Sequence, residues 1–210
     1  MKYLKNFTVG LILLFLFVTT TSLRYLPLPG YQVGDKAKDF KLKNIHGEMI
    51  SISSDNTAKG AIVIFTCNHC PFSQAYEDRI IALHKQFAPK GYPVIAINSN
   101  DKDIEPEDSY EEMIKRAKEH QYPFNYLYDV TQEVAIAYGA ARTPHVFVVQ
   151  KQKDDFIIKY IGAIDDNTDD PEVATKHYVA DAVNSLIEGK EVAVKSTKAI
   201  GCTIKWKKAE

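Results

Sequence analysis

Residues 60–66, GAIVIFT, form an uncharged run dominated by β-branched and aromatic side chains. No polar residue alternates with the apolar ones, so a strand built from them has no face to turn to water. Such strands belong in sheets covered by helices on both sides. YPVIAINSN (92–100) reads as a second buried strand and FNYLYD (124–129) as a third. Between them the period changes. From Pro71 to about Lys90, Tyr76, Ile80, Leu83 and Phe87 recur at three- and four-residue steps, which predicts a helix. EPEDSYEEMIKRAKEHQ has Met113 and Ala117 as its few apolar positions, which predicts a surface-lying helix. TQEVAIAYG (131–139) predicts a short helix with Thr131 as N-cap and Gly139 past its end. HVFVVQK and DFIIKYIG read as adjacent antiparallel strands. DPEVATKHYVADAVNSLIEGK reads as a final helix, with Asp170 as its cap, Pro171 in its first turn and Gly189 after its last. Ahead of these, DFKLKNIHGEMISIS predicts a hairpin turning at Asn44–Gly47. Strands alternating with helices, then a hairpin and a helix, specify an α/β sheet covered by helices.

The 210 residues are one domain with extensions, long enough to bury a core without disulfides. A formal net charge of -1 with scattered lysines gives no reason to expect nucleic acid as a partner. The terminal KWKKAE reads as a solvated tail. At the other end, Lys2 and Lys5 precede the uncharged run Val9–Val18 and then TTTS. This reads as an export signal or N-terminal anchor over residues 1–22. The apolar run is short for a membrane span, which needs about 20 residues. The expected location is therefore extracytoplasmic, periplasmic or secreted, with membrane anchoring through the N-terminus as the alternative. Disulfides form and persist in such compartments.

Two of the three cysteines lie together in FTCNHCPF (65–72), where a strand gives way to a helix. Unpaired N–H groups at a helix N-terminus favour negative charge, so Cys67 is expected to ionise easily. A thiolate is the attacking species in disulfide exchange. Cys70, one turn on, is expected to be more buried, less ionised and placed to close the bond. His69, when protonated, would stabilise the Cys67 thiolate further. A Thr143-Pro144 pair immediately before a buried strand suggests a fixed proline turn.

Four segments carry a family likeness: VGDKAKDFKL at the domain entry, FTCNHCP, YLYDVTQEVAIAYGAARTPHVFVV, and YIGAIDD. Across residues 33–190 the chain resembles thioredoxin-fold proteins, in particular exported thiol–disulfide oxidoreductases and thiol-specific-antioxidant-like proteins (the redoxin branch). The resemblance implies a thioredoxin-like three-layer fold, a central mixed sheet flanked by helices, here with an N-terminal β-hairpin extension. It implies Cys67 as attacking thiol, Cys70 as resolving thiol and Pro144 as a cis-proline facing them. Thr143 would offer its backbone to an extended substrate, as in β-strand addition. The expected partners are protein thiols and disulfides and an upstream redox protein, with no cofactor and no metal. Lys38 stands where relatives often carry proline. The buried carboxylate that many relatives use as proton acceptor has no obvious counterpart.

Other readings compete. A structural disulfide is weighed down by the strand–helix junction and the proline turn. Zinc usually takes four ligands, and only one C-x-x-C pair is present. A copper module would use Cys67, Cys70 and His145, although copper-delivering relatives space their cysteines one residue wider. A thiol-dependent peroxidase would need a threonine three positions before the attacking cysteine, where Ile64 stands. DDNTDDPE (165–172) opens like a calcium loop, but Asp170 replaces the required glycine and Lys176 the required glutamate. Cys202, in the tail 191–210, is either without chemistry or a relay thiol folding back to the pair, with Trp206 packing the tail down.

Overall fold

The computed structural model describes residues 30–208, so the expected export signal or anchor over 1–22 lies outside the described residues. In chain order come β1 (Lys36–Ala37), β2 (Leu42–Asn44), β3 (Met49–Ile50) and β4 (Gly60–Phe65). Then follow α1 (Pro71–Phe87), β5 (Val94–Asn98), α2 (Tyr110–Glu119), β6 (Asn125–Tyr128) and α3 (Glu133–Tyr138). The chain ends with β7 (Arg142–Thr143), β8 (His145–Gln152), β9 (Asp155–Gly162), α4 (Tyr178–Ile187) and β10 (Cys202–Thr203). Among the described residues no helix is long and apolar enough to cross a membrane.

One sheet has the order β1-β9-β8-β4-β5-β6-β2-β3. β4, β5 and β6 are parallel neighbours, while β8, β9, β1 and the β2–β3 hairpin pair antiparallel. The sheet is thus mixed, and the predicted hairpin extends it beyond β6. All six residues of β4 and all five of β5 are buried, as their unbroken apolar runs require. β9 alternates half-buried and buried residues, because the sheet is covered unevenly toward its edge.

The period of two sorts the central side chains into two cores. Ile62, Ile64, Ala96, Val146 and Val148 face Tyr76, Ile80, Leu83 and Phe87 of α1, with Met113 of α2 and Val179 and Val183 of α4. Val63, Phe65, Ile95, Ile97, Phe147 and Val149 face the opposite way, onto Ala135 and Tyr138 of α3, Phe40 and Ile204. Each buried Val, Ile, Leu, Phe or Met side chain contributes about 1.5–3 kcal/mol, and β4 gains this on both faces because helices cover the sheet on each side.

Three local expectations are corrected. Thr131 does not cap α3: Gln132 precedes it in a left-handed conformation (φ 63°), and the buried Asp129 carboxylate accepts from Ala135 N at 2.9 Å. The cap is supplied from the end of β6, while Gly139 does close the helix in a left-handed conformation (φ 69°). The final helix is broken. Asp170 caps only the short 3₁₀ turn Pro171–Val173 by accepting from Glu172 N, and α4 begins at Tyr178. Asp166 takes hold of the intervening chain, accepting from Thr175 N, Thr175 Oγ1 and Lys176 N at 2.9, 2.7 and 3.1 Å, and so pulls those groups out of a helical ladder. Finally, Trp206 does not pack the tail down: Trp206, Lys207 and Lys208 are exposed, and Ile204, just ahead of them, is the residue buried in the α3-side core.

Candidate active site

β4 ends at Phe65, and α1 starts at Pro71 with Cys70 as its N-cap. Cys67 therefore lies in the connecting loop, four residues before the first residue of the helix. The proline is tolerated at this first position because the N–H it lacks would have no helical partner. Asn68 pins the loop from several sides. Its backbone N–H donates to Asp108 Oδ1 at 2.6 Å, its side-chain amide donates to Glu107 O at 2.8 Å, and its Oδ1 accepts from Tyr126 OH at 2.9 Å.

Thr143 joins the two sulfurs. Its Oγ1 lies 3.3 Å from Cys67 Sγ, and its carbonyl accepts from Cys70 Sγ at 3.2 Å. The Thr143–Pro144 bond is cis, as the resemblance implies. Cys67 and Cys70 are both buried, and Cys67, Cys70 and Cys202 are free thiols.

The titration of the pair differs from the expectation. The hydrogen bond between the sulfurs makes them one unit, which releases its first proton easily and its second reluctantly. Cys67 is pushed up, first by the bond with Cys70, then by burial and by the negative charge of Asp108. Cys70 is pulled down, first by the bond with Cys67, with further help from Cys202 and the Ser73 backbone N–H in the first turn of α1. Backbone N–H groups at the start of α1 act on both sulfurs, that of Cys70 lowering Cys67 and that of Ser73 lowering Cys70.

Asp108 is a buried residue of the site that the sequence pattern did not reveal. It follows Pro106 and Glu107 in a 3₁₀ turn ahead of α2, is fully buried, and accepts from Asn100 Nδ2 at 2.6 Å and from His69 Nδ1 at 2.6 Å. In the sequence it is one acid among several at a helix start, a pattern that ordinarily means favourable interaction with the helix dipole. His69 lies beside Cys67, with Nδ1 3.8 Å from Sγ, and its Nε2 is 3.4 Å from Glu105 Oε2.

The copper set of the alternative reading, Cys67, Cys70 and His145, is not assembled. His145 is half-buried against Phe147, with ring centroids 4.6 Å apart, in the α3-side layer. Burial holds its pKa down at about 4. Among the described residues the group of potential metal ligands that does come together is Cys67, His69 and Asp108, with ligand atoms within 4.8 Å of one another. Ile64, at the position where a peroxidase would need threonine, is fully buried in the α1-side core. Thr143 lies beside both thiols, and its strand partner is the chain's own Cys202.

Comparisons with known proteins follow the same line. The AhpC/TSA family matches residues 33–164. No curated protein matches the sequence. An uncharacterized conserved protein from Geobacillus kaustophilus is 37% identical, with 86% of this chain and 95% of that one covered and a TM-score of 0.79. A hypothetical protein from Sinorhizobium meliloti 1021 is 31% identical over 86% of this chain and 97% of that one, with a TM-score of 0.78. The thioredoxin domain of a thiol-disulfide oxidoreductase from Bacteroides vulgatus shares the fold, at 18% identity and a TM-score of 0.51 over 63% of this chain and 91% of that one. With more than half of its length matched and two thiols meeting at one threonine, the chain belongs to the AhpC/TSA family and is a thioredoxin-fold redox protein.

Proposed function

We propose that this protein exchanges disulfides with partner thiols through Cys67 and Cys70, in a compartment outside the cytoplasm where disulfides persist. The observation that carries this reading is the contact of both sulfurs with one residue, Thr143: Cys67 through Oγ1 at 3.3 Å and Cys70 through the carbonyl at 3.2 Å. Cys67 is the attacking thiol, because Cys70 is fully buried while Cys67 retains 4% of its surface. As it attacks, its proton passes to Cys70, the thiol of the pair that is held low.

The Cys67 sulfur then bonds to one partner sulfur, the partner disulfide breaks, and one partner thiolate leaves. Cys70 must lose its proton before the second step; the titratable groups nearest the pair are His69, 3.8 Å from Cys67 Sγ, and Asp108, hydrogen-bonded to His69. Cys70 next attacks Cys67, the mixed disulfide breaks, and a Cys67–Cys70 disulfide remains with a second partner thiolate released. Run backwards, the same steps oxidise a dithiol partner. Thr143 and Pro144 position the partner segment. Reduction by peroxide is the weaker reading, since buried Ile64 offers no hydroxyl to orient it.

The test is turnover of a disulfide substrate such as insulin, coupled to a dithiol reductant, with hydrogen peroxide consumption measured in parallel. Disulfide turnover abolished by Cys67→Ser supports the reading. Peroxide turnover without disulfide turnover defeats it.

A further inference from the structure

The edge of β7, where an extended partner would add, is filled by the protein itself. β10 runs antiparallel to β7, with Cys202 opposite Thr143 and Thr203 opposite Arg142. Gly201 lies flat on the Thr143–Pro144 peptide. A Cβ at that position would stand 2.1 Å from Thr143 O and 2.7 Å from its carbonyl carbon, so the approach needs a residue without a side chain. Arg142 donates to Gly201 O at 2.8 Å.

Downstream, the tail is bolted to the domain. Lys205 N donates to Asn100 Oδ1 at 2.9 Å, Gln132 Nε2 to Lys205 O at 2.8 Å, and Lys207 N to Gln132 Oε1 at 2.9 Å. Ile204 is buried at 3% exposure. This strand is therefore part of the fold, and its register brings Cys202 to the residue that touches both other sulfurs. Burial first, and the Cys70 thiol after it, raise the Cys202 pKa to about 11.

We propose that Cys202 is a third thiol of the redox centre, seated by β10 where a substrate cysteine would pair with Thr143. The inference rests on the thiol–disulfide reading given above and extends it. Cys202, as thiolate, attacks the Cys70 sulfur of the Cys67–Cys70 disulfide. The Cys70–Cys202 bond forms, the Cys67–Cys70 bond breaks, and Cys67 leaves as thiolate. Two electrons are redistributed within the molecule, and the proton lost by Cys202 is taken up by Cys67. Oxidising equivalents can then rest between α1 and the tail while Cys67 is free to meet a partner. Cys202 also guards the edge of β7, so a partner that docks by strand addition must first displace β10.

The full chain carrying Cys67→Ser is equilibrated in glutathione redox buffers, trapped by alkylation and mapped by mass spectrometry. A Cys70–Cys202 cross-linked peptide should exceed glutathione adducts of either cysteine by at least about tenfold, because closure within one chain outcompetes a free thiol. Far-ultraviolet circular dichroism establishes that the variant is folded. Should it fail to fold, the wild type trapped during oxidation serves instead, and the same cross-link should appear beside Cys67–Cys70. If Cys70 and Cys202 are recovered only as separate alkylated or glutathionylated residues, while the wild type forms its Cys67–Cys70 disulfide, the third-thiol inference alone falls. If the wild type forms no Cys67–Cys70 disulfide in these buffers, the underlying exchange reading falls with it.

Discussion

Replacing Asp108 with asparagine isolates one electrostatic effect on the attacking thiol. A carboxylate oxygen of Asp108 lies within 4.8 Å of Cys67 Sγ. At that separation, with an effective dielectric constant of about 20, two unit charges repel by about 3 kcal/mol, equivalent to about two pKa units. The sign follows directly: a negative neighbour opposes thiolate formation and is one of the causes that raise Cys67. Asp108→Asn should therefore move Cys67 down by as much as about two units. The measurement is best made where Cys67 is the only cysteine, with Cys70→Ser and Cys202→Ser, so that no second sulfur shares the proton. The rate of alkylation by iodoacetamide, followed against pH, reports the thiolate fraction. An unchanged or raised midpoint in the asparagine variant refutes the argument. In the otherwise unaltered protein the same substitution should make the Cys67–Cys70 disulfide more oxidising, since a better-stabilised thiolate favours the reduced form. It should also cost stability of about 1–3 kcal/mol, because an amide in place of the carboxylate leaves the His69 and Asn100 donors imperfectly paired.

Other predictions concern the tail and the buried histidines. Ile204→Ala removes a side chain packed in the core with Phe65 and Tyr138 and should cost about 2–5 kcal/mol, read as a lower denaturant midpoint; no change would mean that β10 is not docked. Gly201→Ala should loosen β10 from Thr143 and speed alkylation of Cys202, because the added carbon meets backbone that cannot swing aside. Burial depresses His145 from 6.5 to about 4, so the unfolded chain binds a proton that the folded one refuses across that interval. Stability should therefore fall as pH drops from about 6.5 toward 4, by up to about 3 kcal/mol for this residue. His145→Leu should flatten that slope in denaturation curves taken at pH values across the interval. His84, whose ring is also depressed by burial while it accepts from Val94 N at 3.2 Å, acts in the same sense.

Elements with a long period were legible in the sequence. β4 and β5 announced themselves as unbroken apolar runs, α1 through Tyr76, Ile80, Leu83 and Phe87, and all lie where the pattern put them. The capping of α3 and the extent of α4 were misjudged for a shared reason. Asp129 and Asp166 bind backbone donors in competition with the local helix, and a periodic pattern does not record which side chain wins.

The amino-acid order alone determined a sheet covered on both faces, two thiols one turn apart before a helix, and a Thr-Pro turn at the start of β8. Those features depend on neighbours in the chain, where spacing and stereochemistry act directly. Only the tertiary structure decided that Asp108 sets a negative charge beside Cys67 and that a two-residue strand lays Cys202 against Thr143. A strand so short has no period to read. A buried carboxylate and a third sulfur acquire their roles only when packing brings distant segments to the same few ångströms, where water no longer screens one charge from another.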